Sequence, residues 1–275
     1  LSMLFGLLGE KLGHSFSPQI HLSIFKELNI DGIYKLFEVK KEDLQKAIKG
    51  FKDLQVKGIN VTIPYKVQVK KYLDYISEEA EKIGAVNTIT FKDNKIVGYN
   101  TDYYGFKMML DKFNVEVKNK KVVILGTGGA ANSIIQYVLD EDAKDIALVT
   151  RNLNKVKDNF KKFNLINYDE LNYLKQGDII INTTPVGMYP NVDNSAVKKE
   201  VISNFNIAID LIYNPRKTKF LKYAEESGLK ILDGLYMLVG QAVKAEEIWN
   251  NVNISDSSIE KIYKNIEIML SGEEN

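Results

Sequence analysis

Gly126-Thr127-Gly128-Gly129-Ala130-Ala131 spells G-x-G-x-x-A directly after the apolar run Lys121–Leu125 and at the start of a helical pattern. In that context the first glycine permits a tight turn and the second lets the backbone approach a pyrophosphate, while the small third position lets helix and strand pack closely. The helix N-terminus behind the turn favours an anion. No Gly-Lys-Ser/Thr follows, which excludes a P-loop. The next strand ends Val149-Thr150-Arg151-Asn152, with Lys155 one turn further. A binder of NAD usually carries an acid there to hold the ribose hydroxyls. A guanidinium instead suits the 2′-phosphate of NADP.

A second group of polar residues lies in the first hundred positions. Ser15 and Ser17 flank Phe16 just before an expected helix beginning at Pro18. Two hydroxyls beside a helix N-terminus make a carboxylate site, although capping alone would explain Ser17. In Gly58–Lys66, Asn60 and Thr62 share one face of an expected strand while Ile59, Val61 and Ile63 share the other. Pro64 ends the strand and Lys66 follows its tip. Polar groups on a buried strand need partners, which a polyhydroxylated ligand would supply; an edge strand with a solvated face is the alternative. Asn87 opens a hairpin, and Thr101 or Asp102 stands where a helix cap is expected. Asn182-Thr183-Thr184-Pro185-Val186-Gly187-Met188 leaves the C-terminal end of another strand, the edge where open α/β sheets bind ligands. Gln241 is polar within an apolar helical pattern.

Composition removes several other chemistries. Lys+Arg (37) and Asp+Glu (36) nearly cancel, against the basic excess of a nucleic-acid binder. The absence of cysteine excludes thiol nucleophiles, disulfides and thiolate zinc sites. With His14 and His21 as the only histidines, a histidine triad or zinc site has little material, and no metal is expected. No apolar run nears the roughly 20 residues of a membrane span, and no secretory signal is evident. A cytoplasmic protein without membrane or nucleic-acid partners is expected.

The elements that must position these groups alternate. Runs at Lys121–Leu125, Ile146–Val149, Asp178–Ile181 and Ile207–Ile212 suit strands buried on both faces, with helical stripes between them. This predicts a doubly wound domain over 104–234. The first hundred residues predict strands at 4–8, 34–39 and 58–63, helices at 18–28 and 42–51, and a hairpin turning at Asp93-Asn94. Two helices follow Leu235, with a break near 253–255. The expected fold class is α/β: an N-terminal α/β substrate domain (1–103) completed by returning C-terminal helices (235–275), plus a Rossmann-like NADP-binding domain.

Taken in order, six motifs closely resemble the shikimate dehydrogenase family. They are H-S-x-S-P-x-x-H at 14–21, N-V-T-x-P-x-K at 60–66, G-A-x-N-T at 84–88, N-T-D-x-x-G at 100–105, N-T-T-P-x-G-M at 182–188 and D-G-x-x-M-L-x-x-Q-A at 233–242. The resemblance implies reversible NADPH-dependent reduction of 3-dehydroshikimate to shikimate, a step towards chorismate and the aromatic amino acids. It implies that Ser15 and Ser17 hold the substrate carboxylate with Tyr213 nearby, and that Asn60, Thr62, Asn87, Asp102 and Gln241 contact the ring and its hydroxyls. Lys66 and Asp102 resemble the family's catalytic pair. A ketone reduced by hydride becomes an alkoxide that needs a proton, which the Lys66 ammonium could donate. Asp102 would chiefly orient it, and which of the two carries the proton stays open.

The cofactor contacts implied are Gly126, Thr127, Gly128, Gly129, Ala130, Thr150, Arg151, Asn152, Lys155, Thr183, Thr184, Pro185, Met188, Leu211, Gly234 and Met237. Two departures stand out. Thr150-Arg151-Asn152 replaces the family's Asn-Arg-Thr, and Ala131-Asn132 replaces a frequent Ser-Arg. The first weakens exclusion of NAD. Competing expectations are a quinate/shikimate dehydrogenase using NAD or NADP, and a non-catalytic NADP-binding regulator on the same scaffold. A pure binder needs no proton donor, so Lys66 and Asp102 argue against the regulator. A homodimer is a further, open expectation.

Overall fold

β-Branched and leucine-rich runs separated by Gly, Asn and Asp turns organise the chain into alternating strands and helices. A computed structural model describes residues 2–13, 15–156, 160–161, 163–174 and 176–273. His14 lies outside the described residues, as does the side chain of Lys155. The chain divides into two compact units, residues 1–105 with 239–275 and residues 106–238.

In the first unit the chain forms β1 (Met3–Gly9), α1 (Ser17–Leu28), β2 (Gly32–Glu38), α2 (Leu44–Asp53), β3 (Gly58–Val61), β4 (Tyr75–Ile76), α3 (Glu78–Ile83), β5 (Thr88–Lys92) and β6 (Lys95–Tyr99). The sheet order is β2-β1-β3-β5-β6-β4. β1 runs parallel to β2 and β3, whereas β3–β5 and β5–β6 are antiparallel. Asp93 and Asn94 both take positive φ (50° and 61°), the backbone that a two-residue hairpin requires. β3 is thus interior, which removes the edge-strand explanation for Asn60. It also ends at Val61, short of the expected Ile63. The two-residue alternation fails there, and Ile63 is 71% exposed.

α4 (Thr101–Lys112) leads into the second unit. There β7 (Lys121–Leu125), α5 (Gly129–Asp140), β8 (Asp145–Val149), β9 (Asn164–Ile166), α6 (Tyr168–Leu171), β10 (Ile179–Asn182), α7 (Lys199–Ile202), β11 (Ile207–Asp210), α8 (Lys219–Glu226) and β12 (Lys230–Leu232) follow. The sheet order is β12-β11-β10-β7-β8-β9, and every pairing is parallel. Counted from β7, this is the 3-2-1-4-5-6 order of the doubly wound fold, with its switch point between β7 and β10. Val123, Leu125, Val149, Ile180, Ala208, Phe220 and Leu221 lie in one core on this sheet.

α9 (Leu235–Asn250) and α10 (Asp256–Glu273) close the chain, and from Val239 onward they belong to the first unit. Trp249 packs beside Phe5 (ring centroids 5.3 Å apart) and donates from Nε1 to the Ile89 carbonyl at 2.9 Å. A Cβ on Gly58 would lie 2.2 Å from the indole, so only glycine lets β3 pass beneath it. Among the described residues no helix is long and apolar enough to cross a membrane.

Candidate active site

Lys66 and Asp102 meet in the first unit. Lys66 follows the end of β3, where Val86 N–H donates to its carbonyl at 2.7 Å and buried Tyr65 donates from its hydroxyl to the Val39 carbonyl at 2.6 Å. Lys66 Nζ donates to Asp102 Oδ2 at 2.5 Å. The two side chains keep 16% and 11% of their surface, enough for contact with a ligand but little for water. Neither Thr101 nor Asp102 caps α4. Asn100 Oδ1 accepts from Tyr103 N–H at 3.4 Å, which leaves the Asp102 carboxylate to the lysine.

Behind this pair runs a buried polar network. Asn87 Oδ1 accepts from Thr101 N–H at 2.7 Å and from the Thr88 hydroxyl at 3.1 Å, while its Nδ2 donates to Thr101 Oγ1 at 3.1 Å. Asn60 Oδ1 accepts from the Tyr34 hydroxyl at 2.8 Å, and its Nδ2 donates to Thr88 Oγ1 at 3.1 Å and to the Asn87 carbonyl at 3.4 Å. The partners that Asn60 needs are therefore protein groups. Thr62, by contrast, is half-buried beyond the strand end, and Gln241 is half-buried on α9.

Ser17 is the first residue of α1 rather than its cap; Phe16 occupies the cap position, with no capping side chain. This displaces the capping explanation for Ser17. Its N–H donates to Ser15 Oγ at 3.3 Å, and Ser15 Oγ donates to Ser17 Oγ at 3.1 Å. Two half-buried hydroxyls are thus gathered at the start of a twelve-residue helix.

The second unit holds the glycine turn. Gly126 has φ +100°, and a Cβ there would lie 2.9 Å from Thr184 Cγ2 and 3.0 Å from Thr183 Oγ1. Around Gly128 and Gly129 a Cβ would meet nothing within 4 Å. α5 begins at Gly129 without a capping side chain, so its first amides face that open space. Ala131 is fully buried. An anionic pyrophosphate fits this donor set, with Thr127 and Ala130 half-buried on the turn.

The adjoining strand ends are tied together. Thr183 donates from Oγ1 to the Leu125 carbonyl at 2.7 Å, and Asn182 Oδ1 accepts from Thr184 N–H (3.1 Å) and Oγ1 (2.6 Å). Asn182 Nδ2 donates to Asp210 Oδ1 at 3.0 Å, Ile212 N–H donates to the same oxygen at 3.1 Å, and Thr218 Oγ1 donates to Asp210 Oδ2 at 2.6 Å. Burial nevertheless pushes Asp210 up to about 7, against those three donors. Leu211 is half-buried, and a Cβ on Gly234 would lie 2.1 Å from its carbonyl oxygen. Tyr213 is half-buried, with its hydroxyl pushed up by burial. Met237 is buried, whereas Pro185 and Met188 are exposed.

At the end of β8, Arg151 and Asn152 are exposed beside half-buried Thr150. Asn152 Oδ1 accepts from Asn154 N–H at 3.0 Å and starts the short turn that includes Lys155. Burial raises the Tyr168 hydroxyl, an effect the charge of Arg151 opposes. The guanidinium makes no side-chain hydrogen bond or ion pair with the described residues.

Sequence reasoning passed over Tyr34, Thr88, the buried His21–Glu246 pair, Asp210 and Thr218. The available signal was polarity out of place: Thr88 at the start of a strand, Asp210 within IAIDLI, Glu246 within an apolar helix.

A doubly wound unit with an open glycine turn, joined to an α/β unit bearing an ammonium–carboxylate pair, defines the class of two-unit nicotinamide-nucleotide oxidoreductases. The chain belongs to the shikimate dehydrogenase family. The family model for the shikimate dehydrogenase substrate binding domain matches residues 7–89, and that for shikimate / quinate 5-dehydrogenase matches residues 107–225. The chain is 53% identical over 265 residues to shikimate dehydrogenase (NADP(+)) of Clostridium perfringens, covering 96% of this chain and 98% of the relative. The chorismate mutase/shikimate 5-dehydrogenase fusion protein from Clostridium acetobutylicum superimposes with a TM-score of 0.94 at 52% identity, covering 99% of each chain. Shikimate 5-dehydrogenase from Listeria monocytogenes, solved in complex with shikimate and NAD, gives a TM-score of 0.82 at 32% identity, covering 95% of this chain and 96% of that one.

Proposed function

We propose that the chain catalyses the reversible NADPH-dependent reduction of 3-dehydroshikimate to shikimate, a step in the biosynthesis of the aromatic amino acids. Residues 1–103 with 235–275 serve as the substrate-binding and catalytic domain, and 104–234 as the NADP-binding domain. The contact of Lys66 with Asp102, within a family member of this identity, carries the reading.

When bound, the nicotinamide supplies the hydride to the substrate carbonyl. Lys66 stabilises the charge that develops on the carbonyl oxygen and donates a proton there, giving the alcohol; the reverse reaction returns the proton. Asp102 holds the ammonium at 2.5 Å and accepts from a ring hydroxyl. Ser15 and Ser17 donate to the substrate carboxylate, while Thr62, Asn87 and Gln241 orient the ring and Asn60 supports Asn87 and Thr88 from behind. Gly126, Thr127, Gly128, Gly129 and Ala130 cradle the pyrophosphate. Arg151 holds the 2′-phosphate beside Thr150, Asn152 and Lys155. Thr183, Thr184, Pro185, Met188, Leu211, Gly234 and Met237 border the nicotinamide half.

Steady-state assay of the purified chain against shikimate and quinate, each with NADP and NAD, tests this reading. Shikimate with NADP is expected to give the highest kcat/KM; absence of shikimate-dependent NADPH formation would restore the non-catalytic regulator. Arg151→Ala is expected to raise the KM for NADP about tenfold, the worth of a partly solvated charge-assisted bond, with the KM for NAD unchanged. The replacement of the residues beside Arg151 weakens the exclusion of NAD, which the NAD arm of the assay measures. The reading also takes the enzyme to be cytoplasmic, which cell fractionation checks, and a measurement of solution mass decides whether it forms the homodimer left open by the sequence.

A further inference from the structure

Three polar side chains of the second unit have no part in the reaction scheme and are fully buried. They are Asn182 at the end of β10, Asp210 at the end of β11 and Thr218 at the start of α8. Asn182 Nδ2 donates to Asp210 Oδ1 at 3.0 Å and to the Val186 carbonyl at 3.4 Å. Its Oδ1 accepts from Thr184 N–H at 3.1 Å and from Thr184 Oγ1 at 2.6 Å. Thr184 Oγ1 in turn accepts from Val186 N–H at 3.3 Å. One buried amide thus holds the backbone of Thr184 and, directly or through that threonine, both backbone groups of Val186.

The amide fits only one way round. Thr184 N–H can only donate, so the oxygen of Asn182 must face it, and the amide nitrogen then meets an oxygen of Asp210. Asp210 is anchored independently of the loop. Ile212 N–H donates to its Oδ1 at 3.1 Å, and Thr218 Oγ1 donates to its Oδ2 at 2.6 Å. The Thr218 oxygen also accepts from Leu221 N–H at 3.3 Å, which ties the carboxyl to the first turn of α8. On their other side the half-buried Thr183 and Thr184 close on the glycine turn. Thr183 Oγ1 donates to the Leu125 carbonyl at 2.7 Å, and a Cβ on Gly126 would lie 2.9 Å from Thr184 Cγ2. β7 and β10 flank the switch point, where an open sheet takes its ligand. Freedom left in residues 183–186 would have to be removed on binding, at a cost in affinity.

We propose that Asn182, oriented by Asp210, is a positioning residue that holds residues 183–186 in the shape that receives the nicotinamide half of the cofactor. The inference rests on the cofactor contacts proposed above. Asn182→Ala removes the amide and leaves the glycine turn and Arg151 as they are. Calorimetric titration with NADPH, and with adenosine 2′,5′-bisphosphate, which lacks the nicotinamide half, tests it without turnover. The variant is expected to bind NADPH about tenfold more weakly, the scale of one buried hydrogen bond, and the bisphosphate within about twofold of wild type. The KM for NADP should rise with the NADPH Kd, while the KM for shikimate at saturating NADP stays within about twofold. A merely structural role would weaken both ligands together or lower the number of sites. Either of those results, or an unchanged NADPH affinity, overturns the proposal.

If Asn182→Ala does not accumulate as folded protein, the cofactor-free wild type decides. Its Thr184 amide is expected to exchange with solvent deuterons at least about 10²-fold more slowly than in a disordered chain, because the Asn182 oxygen is in place before any ligand arrives. Exchange at the disordered rate overturns the proposal. Wild-type protein that binds neither NADPH nor the bisphosphate would instead sink the cofactor contacts themselves. A wild type that binds both, beside a variant that binds them equally well, sinks the positioning role alone.

Discussion

Lys66 and Asp102 stand 36 positions apart in sequence and share a hydrogen bond of 2.5 Å. An ammonium so placed offers both charge and a proton to an oxygen that turns from carbonyl to alkoxide. Lys66→Ala should therefore lower kcat by about 10²–10⁴-fold with a smaller change in the KM for shikimate. If only KM moved, the acid would have to be another group. The other side chains at this scale divide by whether the protein already satisfies them. Asn60 drew attention as a polar residue needing partners, and Tyr34, Thr88 and Asn87 supply them. The serine pair was legible from its spacing, whereas the role of cap was misplaced by one residue, since Ser17 lies inside α1. Capping depends on local φ and ψ, which side-chain type only biases.

Among the elements, the C-terminal ends of β10 and β11 are fastened by one carboxylate. Asp210 accepts from Asn182, Ile212 and Thr218, so it ties the Asn182–Met188 segment to the residues after β11 and to the start of α8. The apolar pattern of IAIDLI predicted the strand but gave no use for its acid. The nearby charges are Asp233, which raises Asp210 further, and Arg216, whose Nε donates to Asp233 at 2.7 Å. The folded carboxyl titrates near 7, against 3.8 ordinarily. Between those values the unfolded chain has released the proton that the folded chain keeps, so folding stability falls as pH rises through the interval and levels above it. The loss is on the order of a few kcal/mol at most. Denaturant melts from pH 4 to 8 should show this decline in the wild type and a flatter profile in Asp210→Asn. Equal slopes would remove the effect.

For the molecule as a whole, the chain completes its first unit only after its second. α9 and α10 supply Trp249 over Gly58 and Glu246 against His21, contacts that link the last forty residues or so to the first sixty. Trp249→Ala would open a cavity against Phe5 and remove the indole bond to the Ile89 carbonyl. A loss of about 3–5 kcal/mol in unfolding free energy is expected, read by denaturant titration. A loss below about 1 kcal/mol would mean that the returning helices contribute little to the first unit.

By itself the sequence determined the alternation of strands and helices, the glycine turn, the hairpin at Asp93-Asn94 and the absence of thiol chemistry, because periodicity, φ preference and composition are local quantities. The short strands β4, β9 and β12 escaped it, since two or three residues carry no period and form only where a neighbouring strand offers hydrogen bonds. Tertiary structure alone decided that β3 is interior and that His21 meets Glu246 across 225 positions. Such pairings are set by packing and by the cost of burying an unpartnered polar group, and neither can be computed from spacing along the chain.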